Sequence, residues 1–198
     1  MKKTFLCLII ILSGSTLAFG QLTKVGGALS YNTGYYYNLE SHPDKPKDHK
    51  TGNPVISFTG IYEISLPLHL KPSINVFMPN ITRSEFEKRV ISAYSIDLDA
   101  HYVFNYLDRF EIYGLGGLNI LFVRMKTVYD FEEYSEKFTG SNTALGLNLG
   151  AGSYIKIKDE FDLFVELKAI IGKQVQGVLT AGILLNVDWM KKHEDSRP

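Results

Sequence analysis

The chain has 198 residues, with 21 basic and 21 acidic side chains and a formal net charge of zero. This length suits a single domain. The even charge balance argues against a nucleic-acid-binding protein, which usually carries a basic patch or stripe. Hydrophobic residues make up 45% of the chain and aromatic residues 13%, which is too rich for a disordered protein. The 12 tyrosines favour a boundary between water and oil, where an amphipathic ring is stable.

The first 20 residues have the three parts of an export signal. Lys2 and Lys3 precede an apolar run over Phe5–Leu12, and Ala18-Phe19-Gly20 supplies small residues at a cleavage site. A spanning helix needs about 20 apolar residues, so we prefer a signal peptide to a membrane anchor. We therefore predict that residues 1–20 are a signal peptide, cleaved before Gln21.

Cleavage would remove the only cysteine of the chain, Cys7. The mature protein would then have no thiol, which excludes disulfides and cysteine-ligated metals. It would keep 19 basic and 21 acidic residues, a net charge near −2.

Most of the mature chain alternates apolar and polar residues with a period of two, the pattern of half-buried β-strands. In chain order we expect strands over 23–32, 54–64, 69–78, 91–104, 110–123, 143–157, 161–171 and 178–189. Two positions interrupt the pattern. Pro72 removes a donor of the ladder and usually marks a bulge or an edge, and we place a second bulge at Gly116-Gly117.

The strands 91–104 and 161–171 show the alternation most clearly. Each has one oily face and one ionisable face, the latter carrying Asp97, Asp99 and His101 in the first strand and Glu166 and Lys168 in the second. A helix would scatter these sets around its axis.

The predicted connections alternate in length. The long ones are 33–53, 79–89 and 124–142, and the short ones are 65–68, 105–109 and 158–160. Outer-membrane barrels have long extracellular loops and short periplasmic turns, so this alternation favours a membrane barrel.

Two further features indicate that the oily face points outward. Glycine and charge share the opposite face, as a narrow lumen filled by side chains requires. Aromatic residues cluster where strands would leave the hydrocarbon. The expected outer rim has Tyr31, Tyr35, Phe77 and Phe122, and the expected inner rim has Tyr62, Tyr102, Tyr106, Phe110, Phe161 and Trp189.

These observations predict an all-β fold: an eight-stranded antiparallel up-and-down transmembrane β-barrel over residues 21–189, followed by a charged periplasmic tail over 190–198. On this pattern of strands and connections, the chain resembles the small outer-membrane barrels of the OmpA and OmpX type, and more broadly the outer-membrane proteins that carry such a barrel alone. The resemblance covers 22–189 and rests on pattern rather than on a specific motif.

The resemblance implies a place in the cell outer membrane. The implied partners are outer-membrane lipid and lipopolysaccharide around the barrel, and the barrel assembly machinery during insertion. Such barrels often stop at an aromatic residue, whereas Trp189 is followed by nine further residues, 190–198.

Charged residues on the inward face of several strands would meet in the lumen. The predicted network comprises Lys24, Lys71, Asp97, Asp99, His101, Glu111, Glu166 and Lys168. One interpretation is a proton path, an ion path or a metal site; the other is a salt-bridged plug. We favour the plug, because an eight-stranded barrel is just wide enough to be filled by side chains and buried charges persist when paired. We predict no metal and no cofactor.

The connection 124–142 carries aromatic residues among acids, and its candidate contact surface comprises Tyr129, Phe131, Tyr134 and Phe138. The expected partner is either an extracellular protein or divalent cations that bridge lipopolysaccharide. Long loops on a rigid scaffold often carry function. Solvated extensions of the neighbouring strands are an equal alternative.

We predict no catalytic residues. A lipid A-modifying enzyme would need a nucleophile or an activated water beside a histidine and a carboxylate. Only His101 has carboxylates on its own face, and Ser95 lies too far along that strand for a direct hydrogen bond. The main hypothesis is a non-enzymatic outer-membrane barrel with a structural, adhesive or accessory role. The alternatives are a soluble lipocalin-like barrel, the lipid A-modifying enzyme, and an accessory factor of a secretion or assembly system.

Overall fold

The computed structural model describes residues 21–34, 52–84, 87–106, 109–131, 134–172 and 175–187; within these ranges the side chains of residues 106, 130, 131, 134 and 135 are not described. The predicted signal peptide, Trp189 and the predicted tail lie outside these ranges. No helix in the described ranges is both long and apolar enough to cross a membrane.

The described strands form one antiparallel sheet. They are β1 (Gln21–Asn32), β2 (Asn53–Ser65), β3 (Leu68–Phe77), β4 (Asn80–Arg83), β5 (Glu87–Tyr106), β6 (Phe110–Phe131), β7 (Tyr134–Lys156), β8 (Phe161–Ile171) and β9 (Val175–Asn186). Strand β1 pairs with both β2 and β9, and β3 pairs with β5. Eight strands therefore close into an up-and-down ring, and the short β4 adds to β5 outside it. The predicted barrel is confirmed, with β4 as an additional element.

Three neighbouring strands are much longer than the rest. Strands β5, β6 and β7 have 20, 22 and 23 residues, whereas the other strands of the ring have 10 to 13. The loop predicted over 124–142 is therefore wrong, and the alternative, that these residues extend the neighbouring strands, is confirmed for the described residues. The ladder between β6 and β7 is continuous from Phe110↔Ile155 to Phe131↔Tyr134. Aromatic and β-branched residues favour a strand here. A hairpin that extends into water does not need an apolar face in order to form.

The bulge predicted at Gly116-Gly117 is also wrong, because the pairing of β6 runs through both residues on each side. The glycine serves a different purpose. A Cβ atom at Gly117 would overlap the side chain of Asp99 and the carbonyl of Leu98. Gly117 therefore leaves room for a lumen carboxylate. The bulge or edge predicted at Pro72 is wrong too: the register of β2 with β3 is the same on either side of it, at Thr59↔Ser73 and Tyr62↔Leu70, and Pro72 itself pairs with Leu98 of β5.

The barrel has an oily exterior and a polar interior, the inverse of a soluble protein. Apolar side chains on the outward face are largely exposed, for example Leu29 (69%), Phe58 (62%), Leu145 (72%) and Leu167 (64%). Inward side chains are buried and largely polar, including Ser57, Thr59, Ser73, Asn119, Asn148 and Thr180. A soluble lipocalin-like barrel would need the opposite arrangement, with its oily face turned to an internal cavity.

Aromatic side chains mark both ends of the exterior. Tyr102 and Phe110 are half exposed near the short turns. At the other end, Tyr94 stacks on Phe122 with 4.8 Å between ring centroids. Phe77 is not part of that rim, as it was predicted to be. It is buried in the lumen with a small apolar cluster, because it has the same strand parity as the inward-facing Ser73.

Candidate functional site

The centre of the lumen holds five buried charged residues, which we call the central charge cluster: Lys71, Asp97, Asp99, Glu166 and Lys168. Lys71 Nζ donates to Glu166 Oε2 at 2.6 Å. Lys168 Nζ donates to Asp97 Oδ2 at 2.7 Å and to Asp99 Oδ2 at 3.0 Å. Residues two apart on a strand share a face about 7 Å apart, which is why β5 and β8 each contribute two members.

Neutral side chains complete the hydrogen bonding of these carboxylates. Asn119 Nδ2 donates to Asp97 Oδ1, and Asn148 Nδ2 donates to Asp99 Oδ1 at 2.7 Å. The hydroxyl of Tyr113 donates to Glu166 Oε2 at 3.2 Å. These three partners were not among the residues predicted from the sequence, although each lies at an inward position of its strand. Buried charges that are paired and hydrogen-bonded in this way persist, whereas an unpaired one is costly.

His101 lies beside the cluster, in a layer of aromatic rings. Its Nδ1 is 2.6 Å from the hydroxyl of Tyr154, and its ring stacks on Tyr113 with centroids 4.2 Å apart. Its Nε2 is 3.7 Å from Glu166 Oε2. Ser95 instead donates to Asp97 Oδ1 at 3.3 Å. The histidine is therefore placed between two tyrosines and a carboxylate, and not beside a serine.

Two members of the predicted network lie apart from the central charge cluster. Lys24 pairs with Asp162 at 2.7 Å, and its Nζ is 5.4 Å from the ring centre of Tyr154. Glu111 is half buried at the end with the short turns, and it makes no ion pair within the described ranges. The network therefore consists of a central cluster and a separate ion pair below it.

The lumen is filled below the central charge cluster and open above it. Below lies an apolar and aromatic layer that includes Tyr113, Tyr154, Phe164, Ile61 and Leu184. Above lies a cavity, partly open to solvent, that is lined by the charged residues Lys71, Asp97, Glu166 and Lys168 and by hydroxyl, amide and apolar side chains. Within the described ranges, no group of three or more histidine, cysteine or acidic residues could hold a metal ion.

Residues 4–190 match the model of one protein family, the outer membrane protein beta-barrel domain. The chain belongs to this family. The protein is thus an outer-membrane β-barrel, and its oily exterior faces the lipid of the cell outer membrane. None of the curated protein sequences matches it.

Solved structures of other outer-membrane proteins share the fold. The attachment invasion locus protein Ail of Yersinia pestis is 16% identical, with a TM-score of 0.51 over 85% of this chain and 98% of that one. Neisserial surface protein A is 16% identical, with a TM-score of 0.52 over 84% and 97%. A major outer membrane protein from Thermus thermophilus is 11% identical, with a TM-score of 0.56 over 82% and 98%.

Barrels of this kind turn their short connections to the periplasm, so the extra length of β5, β6 and β7 lies on the extracellular side. We call this part the projecting sheet: β4 together with residues 87–93, 123–131 and 134–142. It contains all four residues of the predicted contact surface. Tyr129 and Phe138 meet edge to face, with centroids 5.9 Å apart. Phe131 and Tyr134 lie where the β6–β7 hairpin turns, and their side chains are not described.

Proposed function

We propose that this outer-membrane β-barrel is a non-enzymatic surface protein that uses the projecting sheet to bind an extracellular protein, with the filled barrel as its anchor. The observation that carries the proposal is the length of β5, β6 and β7, which have 20, 22 and 23 residues. A strand needs only about 9 to 11 residues to span the membrane. The additional residues form an ordered hairpin held above the bilayer.

The projecting sheet has a free edge. Strand β8 begins to pair with β7 at Leu147, so residues 134–146 pair only with β6 among the described strands. An unpaired edge presents a row of backbone donors and acceptors that an extended segment of another protein can complete. This edge supports binding by strand addition.

The aromatic pair beside this edge would supply specificity. Phe138 is 47% exposed and packs on Tyr129, which limits the conformational entropy that both rings lose on binding. Aromatic side chains held in this way are the usual anchors of protein interfaces. Tyr129, Phe131, Tyr134 and Phe138 remain our candidate contact residues.

Two further observations support a barrel that neither modifies lipid nor passes solutes. His101 is completely buried and hydrogen-bonds to a tyrosine, so a lipid in the surrounding bilayer has no access to its ring. The apolar layer below the central charge cluster favours a lumen that passes no solutes. We also propose two partners that follow from the place of the barrel in the outer membrane. These are lipopolysaccharide around the barrel and the assembly machinery during insertion. A structural role, or an accessory role in a secretion or assembly system, would use the same projecting sheet.

The proposal can be tested by displaying the protein on a laboratory Gram-negative strain and measuring attachment to epithelial cells and to wells coated with extracellular-matrix proteins. We expect attachment above that of cells with an empty vector. The double variant Tyr129→Ser/Phe138→Ser should lose most of this gain, because it removes both rings of the aromatic pair from the free-edge region.

The matched control is Val128→Ser, which removes an apolar side chain from the opposite face of the same strand and should attach like the parent. Surface labelling must show equal amounts of all variants. Attachment no greater than that of the empty-vector cells would contradict the proposed function, and equal attachment by the double variant would remove the contact surface from it.

A further inference from the structure

The outward face of the projecting sheet carries five basic residues, Arg83, Lys88, Arg124, Lys126 and Lys137, which we call the basic face. All five side chains are exposed. They follow directly above the stacked Tyr94 and Phe122, which mark the outer rim of the barrel. The basic face thus begins where the hydrocarbon layer ends.

The strand register shows that these residues share one face. Arg124 lies between Ser92 and Ser141, and Lys126 lies between Val90 and Thr139. In the next row, Arg83 is paired with Lys88, and Val128 lies between Lys88 and Lys137. Rows two residues apart on a strand are about 7 Å apart. Arg124 therefore lies about 7 Å beyond Phe122. The third row, which holds Arg83, Lys88 and Lys137, lies about 21 Å beyond Phe122.

Charge is sorted between the two faces of the projecting sheet. Between the Tyr94 row and the Arg83 row, the outward positions of β4 to β7 include no acidic residue. The acids Glu87 and Glu136 lie in one row with Tyr129 on the opposite face, where Glu87 accepts hydrogen bonds from Arg89. None of the five residues of the basic face makes an ion pair within the described ranges.

Like charges on adjacent strands destabilise a sheet unless a counter-charge lies between them. The surface that surrounds the barrel at this height is the head-group layer of the outer leaflet, and the basic face looks sideways into it rather than up from the cell. Arginine and lysine are the side chains that recognise phosphate.

We propose that the basic face is a binding site for the phosphate groups of lipopolysaccharide molecules packed against the barrel wall. The basic face gives lipopolysaccharide, a partner already proposed above, a defined site. The site uses the opposite face of the projecting sheet from the aromatic contact surface, so it does not depend on the binding of an extracellular protein. Bound lipopolysaccharide would neutralise the basic face and hold the hairpin upright at the membrane surface.

The test uses the mature chain refolded in zwitterionic detergent micelles and titrated with short-core lipopolysaccharide, with binding followed by fluorescence. The variant Arg124→Gln/Lys126→Gln removes two charges from the rows nearest the rim. Each lysine or arginine at an anionic lipid surface strengthens binding about fivefold, so we expect the double variant to bind about 25-fold more weakly. The control Lys156→Gln/Lys158→Gln removes two exposed charges at the periplasmic end and should bind like the parent within about twofold.

Chemical removal of the phosphates from the lipopolysaccharide should weaken binding to the parent and leave the parent and the double variant alike. Equal affinity of both proteins for intact lipopolysaccharide, or full affinity of the parent for the dephosphorylated form, would overturn the proposal. Inorganic phosphate that displaced the lipid at millimolar concentration would indicate a free-anion site instead. Heparin fragments that bound in preference to lipopolysaccharide would indicate a polysaccharide partner, and either result would also overturn the proposal. All variants must first show the heat-dependent gel shift of a folded barrel.

Discussion

The central lumen and the projecting sheet use charge in opposite ways. In the lumen, Glu166 and Lys168 are almost completely buried and each contacts an opposite charge. In the projecting sheet, Arg124 and Lys126 are exposed and belong to a face with no acidic partner among the described residues. Both regions consist of strands with the same two-residue alternation. We therefore expect stability to depend on the central charge cluster, whose charges are paired, and we propose that recognition depends on the projecting sheet, whose basic face is left for a partner to neutralise.

The largest effect should come from Glu166→Leu. This change leaves Lys71 buried without its carboxylate, and breaking a buried pair in this way costs about 3 to 5 kcal/mol. We expect the free energy of unfolding in lipid vesicles, measured by urea titration, to fall by about that amount. The double variant Lys71→Met/Glu166→Leu should lose less than Glu166→Leu alone, since it leaves no member of that pair uncompensated.

The matched control for that experiment is Leu167→Ile on the next residue. Its side chain points outward and is 64% exposed, so a volume-conserving change should cost less than about 1.5 kcal/mol. If Glu166→Leu were no more damaging than Leu167→Ile, the central charge cluster would not stabilise the barrel.

A smaller effect should follow from Gly117→Ala. The added methyl group would overlap the backbone of Leu98 and the carboxylate of Asp99, and overpacking of this kind costs about 1 to 3 kcal/mol. The neighbouring change Gly116→Ala would meet only Leu149 Cδ2, at 3.8 Å, and should leave stability unchanged. Thermal unfolding followed by the gel shift compares the two directly. Equal midpoints would mean that Gly117 does not make room for the cluster.

The smallest effect on stability should come from shortening the projecting sheet. Met125 pairs with Gly140, so residues 126–139 can be replaced by Asn-Gly, which closes a two-residue hairpin. The ring and its central charge cluster are untouched, and we expect the free energy of unfolding to change by less than about 1 kcal/mol. A loss as large as that of Glu166→Leu would show that the projecting sheet is part of the stabilising core.

The sequence was sufficient to predict the barrel, because polar residues that face the lumen alternate with apolar residues that face the lipid. Asp97, Leu98 and Asp99 of β5 show this alternation. The sequence left the segment 124–142 open between a loop and extensions of the neighbouring strands, because a strand in water need not alternate. The partners Asn119, Asn148 and Tyr113 were also missed. Nothing in the sequence marks an inward amide or phenol as the hydrogen-bond donor of a particular carboxylate. That pairing is known only once the strand register is known. The register depends on pairing across the whole ring, which no single segment contains.

The most direct test of the account is to place a nitroxide label at single cysteines in a chain whose only cysteine, Cys7, lies in the predicted signal peptide. Labels would be compared at Leu179→Cys, on the oily exterior, and at Thr139→Cys, on the projecting sheet, with the mature protein in lipid vesicles. We predict that dissolved oxygen, which concentrates in lipid, broadens the signal at residue 179, and that a water-soluble nickel chelate broadens the signal at residue 139. An oily face turned to the membrane would be contradicted if neither reagent broadened the signal at residue 179. It would also be contradicted if the nickel chelate broadened that signal more than oxygen did.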